Sequence, residues 1–336
     1  MNTQSLLATL LLWAPLAGAA TPEPPALSAG GLLFGDFYYI PSNHLDSGEG
    51  AAGLVVRRGY FTLDADFSDN WFGRARLEIN QSGAFETYSF TSQLKDLFLG
   101  WKAGRQRLLL GLSPTPTFDL IESTWDFRYL ARTPMDLQGA PSRDTGIAMK
   151  GPVNTAGTLS YRAMYGAPVA FSADSDDHSK WMGAMTWRPT AEWTVDLYAD
   201  YQPRPGATNR MTLQAFVAWQ TGKLTLGAQY SHQDREDDSN LELASAFAWG
   251  RVAENTRLVG RVDRLFEPSP RGNNIAYLPY DPTARATTFF GGIEFQASPH
   301  FCVTPNTVVT YYDRNDEGVR PATDFYLRLT LFINFE

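Results

Sequence analysis

A transmembrane antiparallel up-and-down β-barrel of about sixteen strands is the fold class this sequence predicts. Three observations predict it. Apolar and polar side chains alternate with a two-residue rhythm along the chain, a period that a helix cannot present. The alternating segments run for about 9–11 residues, the length that crosses a bilayer at barrel tilt. The connections between them alternate between short and long, as periplasmic turns and extracellular loops do.

Composition sets the bounds. The 336 residues are 43% hydrophobic and 13% aromatic. Past the N-terminus no apolar run approaches the roughly 20 residues of a transmembrane helix. A β-barrel averages its lipid-facing and lumen-facing residues and so reads as soluble overall, while aromatic enrichment suits its interfacial girdles. The formal net charge of -8 argues against nucleic acid as a partner. The one cysteine, Cys302, can form no intramolecular disulfide and no cysteine-based metal site. Neither metal nor cofactor is expected.

Residues 1–20 read as an export signal, because the apolar stretch from Leu6 to Leu16 precedes Ala17-Gly18-Ala19-Ala20, a small-x-small cleavage pattern. The pattern departs from type in lacking any Lys or Arg before Arg57. Residues 21–31 are then expected as a short periplasmic segment and 32–336 as one barrel domain. Strands are predicted at 32–40, 54–65, 71–81, 93–103, 105–113, 144–151, 157–166, 180–189, 193–203, 210–220, 223–232, 241–252, 256–266, 286–297, 301–312 and 324–335. The last is the clearest: Phe325, Leu327, Leu329, Leu331, Ile333 and Phe335 share one face, with Tyr326, Arg328, Thr330, Phe332 and Asn334 on the other. The strands at 144–151, which is short, and at 301–312, which contains Pro305, depart most from the pattern.

With the polar faces turned inward, the predicted lumen carries charges of both signs. Its basic residues are Arg58, Arg74, Arg76, Lys102, Arg107, Lys150, Arg162, Arg188, Arg257, Arg261 and Arg328, and its acidic ones are Asp36, Asp64, Glu78, Asp96, Asp196, Asp200, Asp263 and Glu294. Such an interior is water-filled. Arg74, Arg76 and Glu78 succeed one another on one face, beside Arg58 on the preceding strand, a cluster able to set charge selectivity. The competing expectation is that lumen arginines pair with lumen carboxylates and leave little net field.

The segment 114–143 is far longer than an ordinary connection, and Phe118, Leu120, Ile121, Trp125, Phe127, Tyr129 and Leu130 make it too apolar for disorder. It is expected to fold into the lumen as the third long loop and narrow it. Arg128, Arg132 and Arg143 would then face Asp119, Glu122, Asp126 and Asp136 across a constriction. The alternative is a lid packed on the outer rim. Enzymatic motifs are missing: no Gly-x-Ser-x-Gly elbow, no His-Glu-x-x-His pair and no phosphate-binding glycine loop occurs. The predicted topology also separates the histidines, with His44 and His178 in extracellular loops, His232 ending a strand on that same side and His300 in a periplasmic turn. Two acidic runs, 174–177 and 234–238, read as solvated loop tips.

Several segments carry a family resemblance. Arg57-Arg58-Gly59-Tyr60-Phe61 precedes the strand at 71–80. Leu97-Phe98-Leu99-Gly100-Trp101-Lys102 and the stretch 108–114 lead to the loop at 122–132 and to Arg143-Asp144-Thr145-Gly146. Over residues 55–150 the chain resembles the phosphate-selective porin O/P family. The resemblance implies a sixteen-stranded barrel, usually a homotrimer, passing anions through a constriction of arginines and lysines. The many carboxylates here depart from an extended arginine ladder, and the terminal Phe335-Glu336 departs by one residue from a barrel ending in Phe.

Residues and resemblance together imply a passive pore, not an enzyme, in the outer membrane of a Gram-negative bacterium. Its partners would be small hydrophilic solutes or anions inside, with outer-membrane lipid and lipopolysaccharide outside. Weak anion selectivity is expected from Arg58, Arg74, Arg76, Glu78, Lys102, Arg107, Arg128, Arg132, Arg162 and Arg261. A non-transporting barrel, an outer-membrane enzyme or an adhesion protein displaying its loops, is the alternative; about sixteen strands enclose more space than side chains alone fill.

Overall fold

The computed structural model describes residues 24–81, 90–168, 178–236 and 239–335. The expected export signal, the 174–177 acidic run and Glu336 lie outside the described residues. Sixteen antiparallel strands close into a barrel: β1 (Ala26–Ser42), β2 (Ala52–Asp66), β3 (Trp71–Gln81), β4 (Phe90–Ala103), β5 (Gln106–Pro114), β6 (Arg143–Pro152), β7 (Leu159–Gly166), β8 (Lys180–Trp187), β9 (Trp193–Gln202), β10 (Arg210–Gln220), β11 (Leu224–Asp234), β12 (Leu241–Ala253), β13 (Thr256–Leu265), β14 (Ala286–Ser298), β15 (Phe301–Tyr312) and β16 (Asp324–Asn334). Each strand pairs with its sequence neighbours, and β1 closes the ring on β16 through Leu32↔Asn334 to Ser42↔Phe325. Closure leaves no unpaired edge in hydrocarbon, which a bilayer would not tolerate.

The alternation seen in the sequence becomes two surfaces. On β10, Met211, Leu213, Ala215 and Val217 are exposed while Thr212, Gln214, Phe216 and Ala218 are buried. Outward aromatics gather at both rims. Trp71 and Trp101 meet at a tilt beside the short turns with ring centroids 6.4 Å apart, and Trp193 is in register with Trp219. At the long-loop end Tyr165 meets Trp181 at 4.6 Å and Phe289 meets Tyr311 at 6.1 Å. Two such girdles mark the membrane interfaces.

The strand order follows expectation, with differences at the ends. β1 begins at Ala26, where it already pairs with Asp66, so residues 26–31 belong to the wall and not to the expected periplasmic segment. Pro305 sits inside β15. It has no N–H to give, and the β14–β15 pairing lapses between Gly292↔Asn306 and Phe295↔Val303 while β16 stays in register on the other side.

Two β-bulges bear on the lumen. Phe34 pairs with Arg58 and Gly35 with Val56, leaving Arg57 as an extra residue on β2. Likewise Arg76 pairs with Asp96 and Leu77 with Leu94, leaving Lys95 extra on β4. Each bulge resets the in–out alternation. Arg57 and Arg58 both point inward in consequence, as do Lys95 and Asp96.

Candidate functional site

The loop at 115–142 coils into two short helices, α1 (Asp119–Trp125) and α2 (Pro134–Leu137). Its apolar residues pack against inward-facing wall residues. Ile121, Trp125, Phe127, Tyr129 and Leu130 form one buried cluster with Phe34, Phe216, Phe247 and Val259. Trp125 meets Phe247 edge-on at 5.2 Å, and Tyr129 stacks on Phe332 at 4.6 Å. Buried aromatic pairs of this kind add about 0.5–1.5 kcal/mol each beyond the area they remove from water.

Polar contacts tie the same loop to the wall on several sides. Gln214 Nε2 donates to Thr117 O at 2.6 Å, and Thr117 Oγ1 donates to the Tyr198 hydroxyl at 2.9 Å. Trp249 Nε1 donates to Thr124 O at 3.0 Å. Arg257 pairs with Asp126 of the loop and, at 2.5 Å, with Glu294 of the wall, which also accepts from the Tyr129 hydroxyl. The inward Arg57 pairs with Asp36 at 2.7 Å and donates to the carbonyls of Tyr129 and Leu130.

Between loop and wall lies a narrow cleft of about 70 Å³ on which five arginines converge: Arg57, Arg58, Arg128, Arg132 and Arg328. Phe34, Leu130 and Phe290 are among its apolar lining. Carboxylates partly balance the charge. Asp36 answers Arg57, and Glu78 answers Arg58 at 3.4 Å. Asp136 lies 3.3 Å from Arg128 and 3.8 Å from Arg132. Arg328 donates to Tyr277 O at 2.7 Å and has no carboxylate partner among the described residues.

The remaining sequence candidates divide. Arg74 bonds both oxygens of Asp64, at 2.7 and 2.9 Å. Arg76 lies 3.4 Å from Asp96, and Lys102 lies 3.1 Å from Asp66. Arg162 reaches Asp196 at 2.9 Å and Thr186 at 2.8 Å. Glu78, fully buried, also takes the bulge residue Lys95 at 3.2 Å. Arg107 packs over the Phe72 ring at 5.7 Å. Arg261 stands apart from all of these: paired with Asp263 and sandwiched between Trp125 and Phe290, it supports the loop from beneath and is closed off from the lumen.

One expectation is corrected. Arg128, Arg132 and Arg143 do not face the loop's acids across open space. Arg128 pairs with Glu122 at 2.7 Å, because the turn that ends α1 brings the two together, while Arg143, at the start of β6, bonds Asp96 of the wall at 2.5 Å and lies 3.9 Å from Asp119. Among the inward residues the sequence pattern passed over are Arg57 and Lys95. Their signal was present, since the outward apolar phase shifts from Leu54 and Val56 to Phe61 and Leu63, and from Leu94 to Leu97 and Leu99.

No family model matches the chain, and no curated protein matches it. Solved structures do match over nearly its whole length. An anion-selective porin from Comamonas acidovorans aligns with a TM-score of 0.65 at 11% identity, covering 93% of this chain and 100% of that one. The outer-membrane channel DcaP of Acinetobacter baumannii gives 0.63 at 11%, covering 95% and 100%. The fold is that of the outer-membrane porins. The trimer form of OmpT, an outer membrane protein of Vibrio cholerae, gives 0.62 at 11%, covering 93% and 100%. At such identities the porin fold is what is shared. The charged cleft belongs to this chain's own residues.

Proposed function

We propose that this protein is an outer-membrane porin that passes small hydrophilic solutes by diffusion, with a weak preference for anions, and that it assembles as a homotrimer. The observation that carries the reading is the convergence of Arg57, Arg58, Arg128, Arg132 and Arg328 on one cleft beside the 115–142 loop. A ring of like charge at a narrow point sets the sign of the ion that passes. The acids that accompany them moderate the field, so the preference is slight and the solute range broad. The motifs over residues 55–150 support a place near the phosphate-selective porin O/P family, and the paired carboxylates argue against phosphate as a sole solute. The trimeric OmpT and the anion-selective Comamonas porin support the assembly and the sign of selectivity.

Reversal potentials across a planar bilayer under a KCl gradient test the reading. The wild-type protein should give ohmic channels reversing slightly toward chloride. Replacing Arg58 and Arg132 together by Gln should move the reversal toward potassium. Folded protein without conductance would overturn the pore, and an unmoved potential would remove the cleft from selectivity.

A further inference from the structure

The loop at 266–285 also turns into the barrel, and together with the 115–142 loop it fills one side of the lumen. Its Ile275, Leu278 and Tyr280 are buried in one apolar cluster with Phe118, Met135 and Leu137 of the other loop. Ser269 Oγ donates to Gln138 Oε1 at 2.7 Å, so a polar bond joins the two loops as well. The stem is held on both sides of its tip. Asn273 Oδ1 lies 2.8 Å from Nε2 of His44 in the first long loop, and Asp281 N donates to the Tyr312 hydroxyl of β15 at 3.1 Å.

Between those anchors the tip crosses the arginine cleft. Tyr277 lines the cleft, its carbonyl accepts from Arg328 of β16 at 2.7 Å, and its hydroxyl donates to Gln81 O at the end of β3. The residue therefore spans from β16 to β3 across β1 and β2, the strand that carries Arg57 and Arg58. Its backbone sits at φ +63, in the left-handed region that Asp or Asn enters far more easily than an aromatic residue does. Strain of this kind persists where the surroundings impose it, and it gathers at clamps and switches. The neighbouring Ala276 is exposed, whereas Ile275 and Leu278 on either side are buried.

A cleft of about 70 Å³ has room for a few waters and none for a sugar or an organic acid. One of its walls must yield before such a solute passes. The strands are fixed by closure of the barrel. The 115–142 loop is fixed by Arg57, Arg257, Trp249 and the buried aromatics around Trp125. The Tyr277 side chain is tied by one hydrogen bond among the described residues, and it can turn away from Gln81 while Ile275 and Leu278 stay packed.

We propose that Tyr277 is the gate of this pore: its ring bars the arginine cleft at rest, and its rotation sets how large a solute passes and how often. The gate sorts by size where the arginines sort by charge. It rests on the pore reading for transport, while the motion of the ring is measured separately.

Bilayer recording, liposome swelling and fluorine NMR test it on the full-length protein, with the compact band in unheated gel electrophoresis as the check of folding. Tyr277→Gly keeps the backbone conformation, which glycine adopts freely, and removes the bar. It should raise the open-channel conductance and let liposomes swell in oligosaccharides that the wild type excludes. Tyr277→Phe keeps the ring and loses the bond to Gln81. The ratio of open to closed dwell times should then rise about two- to tenfold, the worth of one net hydrogen bond. Glu317→Gln, in an exposed loop, should change neither readout. In protein carrying 3-fluorotyrosine, the resonance missing from the Tyr277→Phe spectrum should split or broaden through exchange between two ring positions. A size limit and dwell times unmoved in both variants, or a single sharp Tyr277 resonance, would overturn the gate. Exchange of that resonance in a protein silent in every form would uphold the swinging ring and overturn the pore.

Discussion

Arg57→Ala is the sharpest probe of how the loop is held. The bulge on β2 buries this guanidinium, with its side chain 9% exposed and that of Asp36 2% exposed. Removing it breaks the 2.7 Å pair with Asp36, both bonds to the loop carbonyls of Tyr129 and Leu130, and the packing over Phe34 at 5.3 Å. Breaking a buried pair by deleting one member costs about 3–5 kcal/mol. Asp36 keeps the Thr330 hydroxyl at 2.6 Å and lumen water can reach the vacated volume, so about 3 kcal/mol is expected. Urea unfolding in vesicles, followed by tryptophan fluorescence, measures the loss. Single-channel recording should show noisier open states as the 128–132 segment loosens. Arg57→Met with Asp36→Asn removes the unpaired charge and should recover most of the stability while the noise persists. A loss below about 1 kcal/mol with quiet channels would refute the anchoring role of the bulge.

Gly111 on β5 has φ +122, and a Cβ there would lie 2.4 Å from Leu97 O. Gly111→Ala should therefore cost more than about 3 kcal/mol, seen as loss of the compact folded band in unheated gel electrophoresis. His44, in the first long loop, has Nδ1 2.9 Å from each Asp324 oxygen and Nε2 2.8 Å from Asn273 Oδ1. Burial opposes its positive form, but the hydrogen bonds to Asp324 and Asn273 with the charge of Asp324 outweigh it and raise the pKa above 6.5. Its stabilisation should thus be complete below about pH 6.5 and fade as the pH climbs through the raised value. An NMR titration of the imidazole locates that value, and His44→Gln should remove this part of the pH dependence of unfolding.

The wall of this barrel was legible one residue at a time. Lipid contact is a local demand: each outward position must be apolar and each inward one is free to be polar, so the strand period appears directly in the order of residues. The same holds for connections, whose lengths are counted along the chain. Strand number, faces and both rims follow from this. What the lumen does with its charges is a different kind of question. Arg57 touches Leu130, 73 residues on, and Tyr129 meets Glu294, 165 residues on. Such partners are chosen by barrel closure and by the path of the loop, which no period encodes.

Strict alternation assigned Arg58 to the lumen and passed over Arg57, because a single extra residue on β2 inverts the parity of everything beyond it. Arg261 shows the converse. Its inward direction was readable, but only the packing of Trp125 and Phe290 on either side closes it off from solute. Lys150 and Arg107, 43 residues apart in the chain, became neighbours only through the β5–β6 register. The sequence by itself determined which side of the wall most residues face, since that is settled by the solvent at each position. Only the tertiary structure decided which inward charges are neutralised and which stay open to a solute, since a charge is cancelled by whatever lies within a few ångströms of it in space.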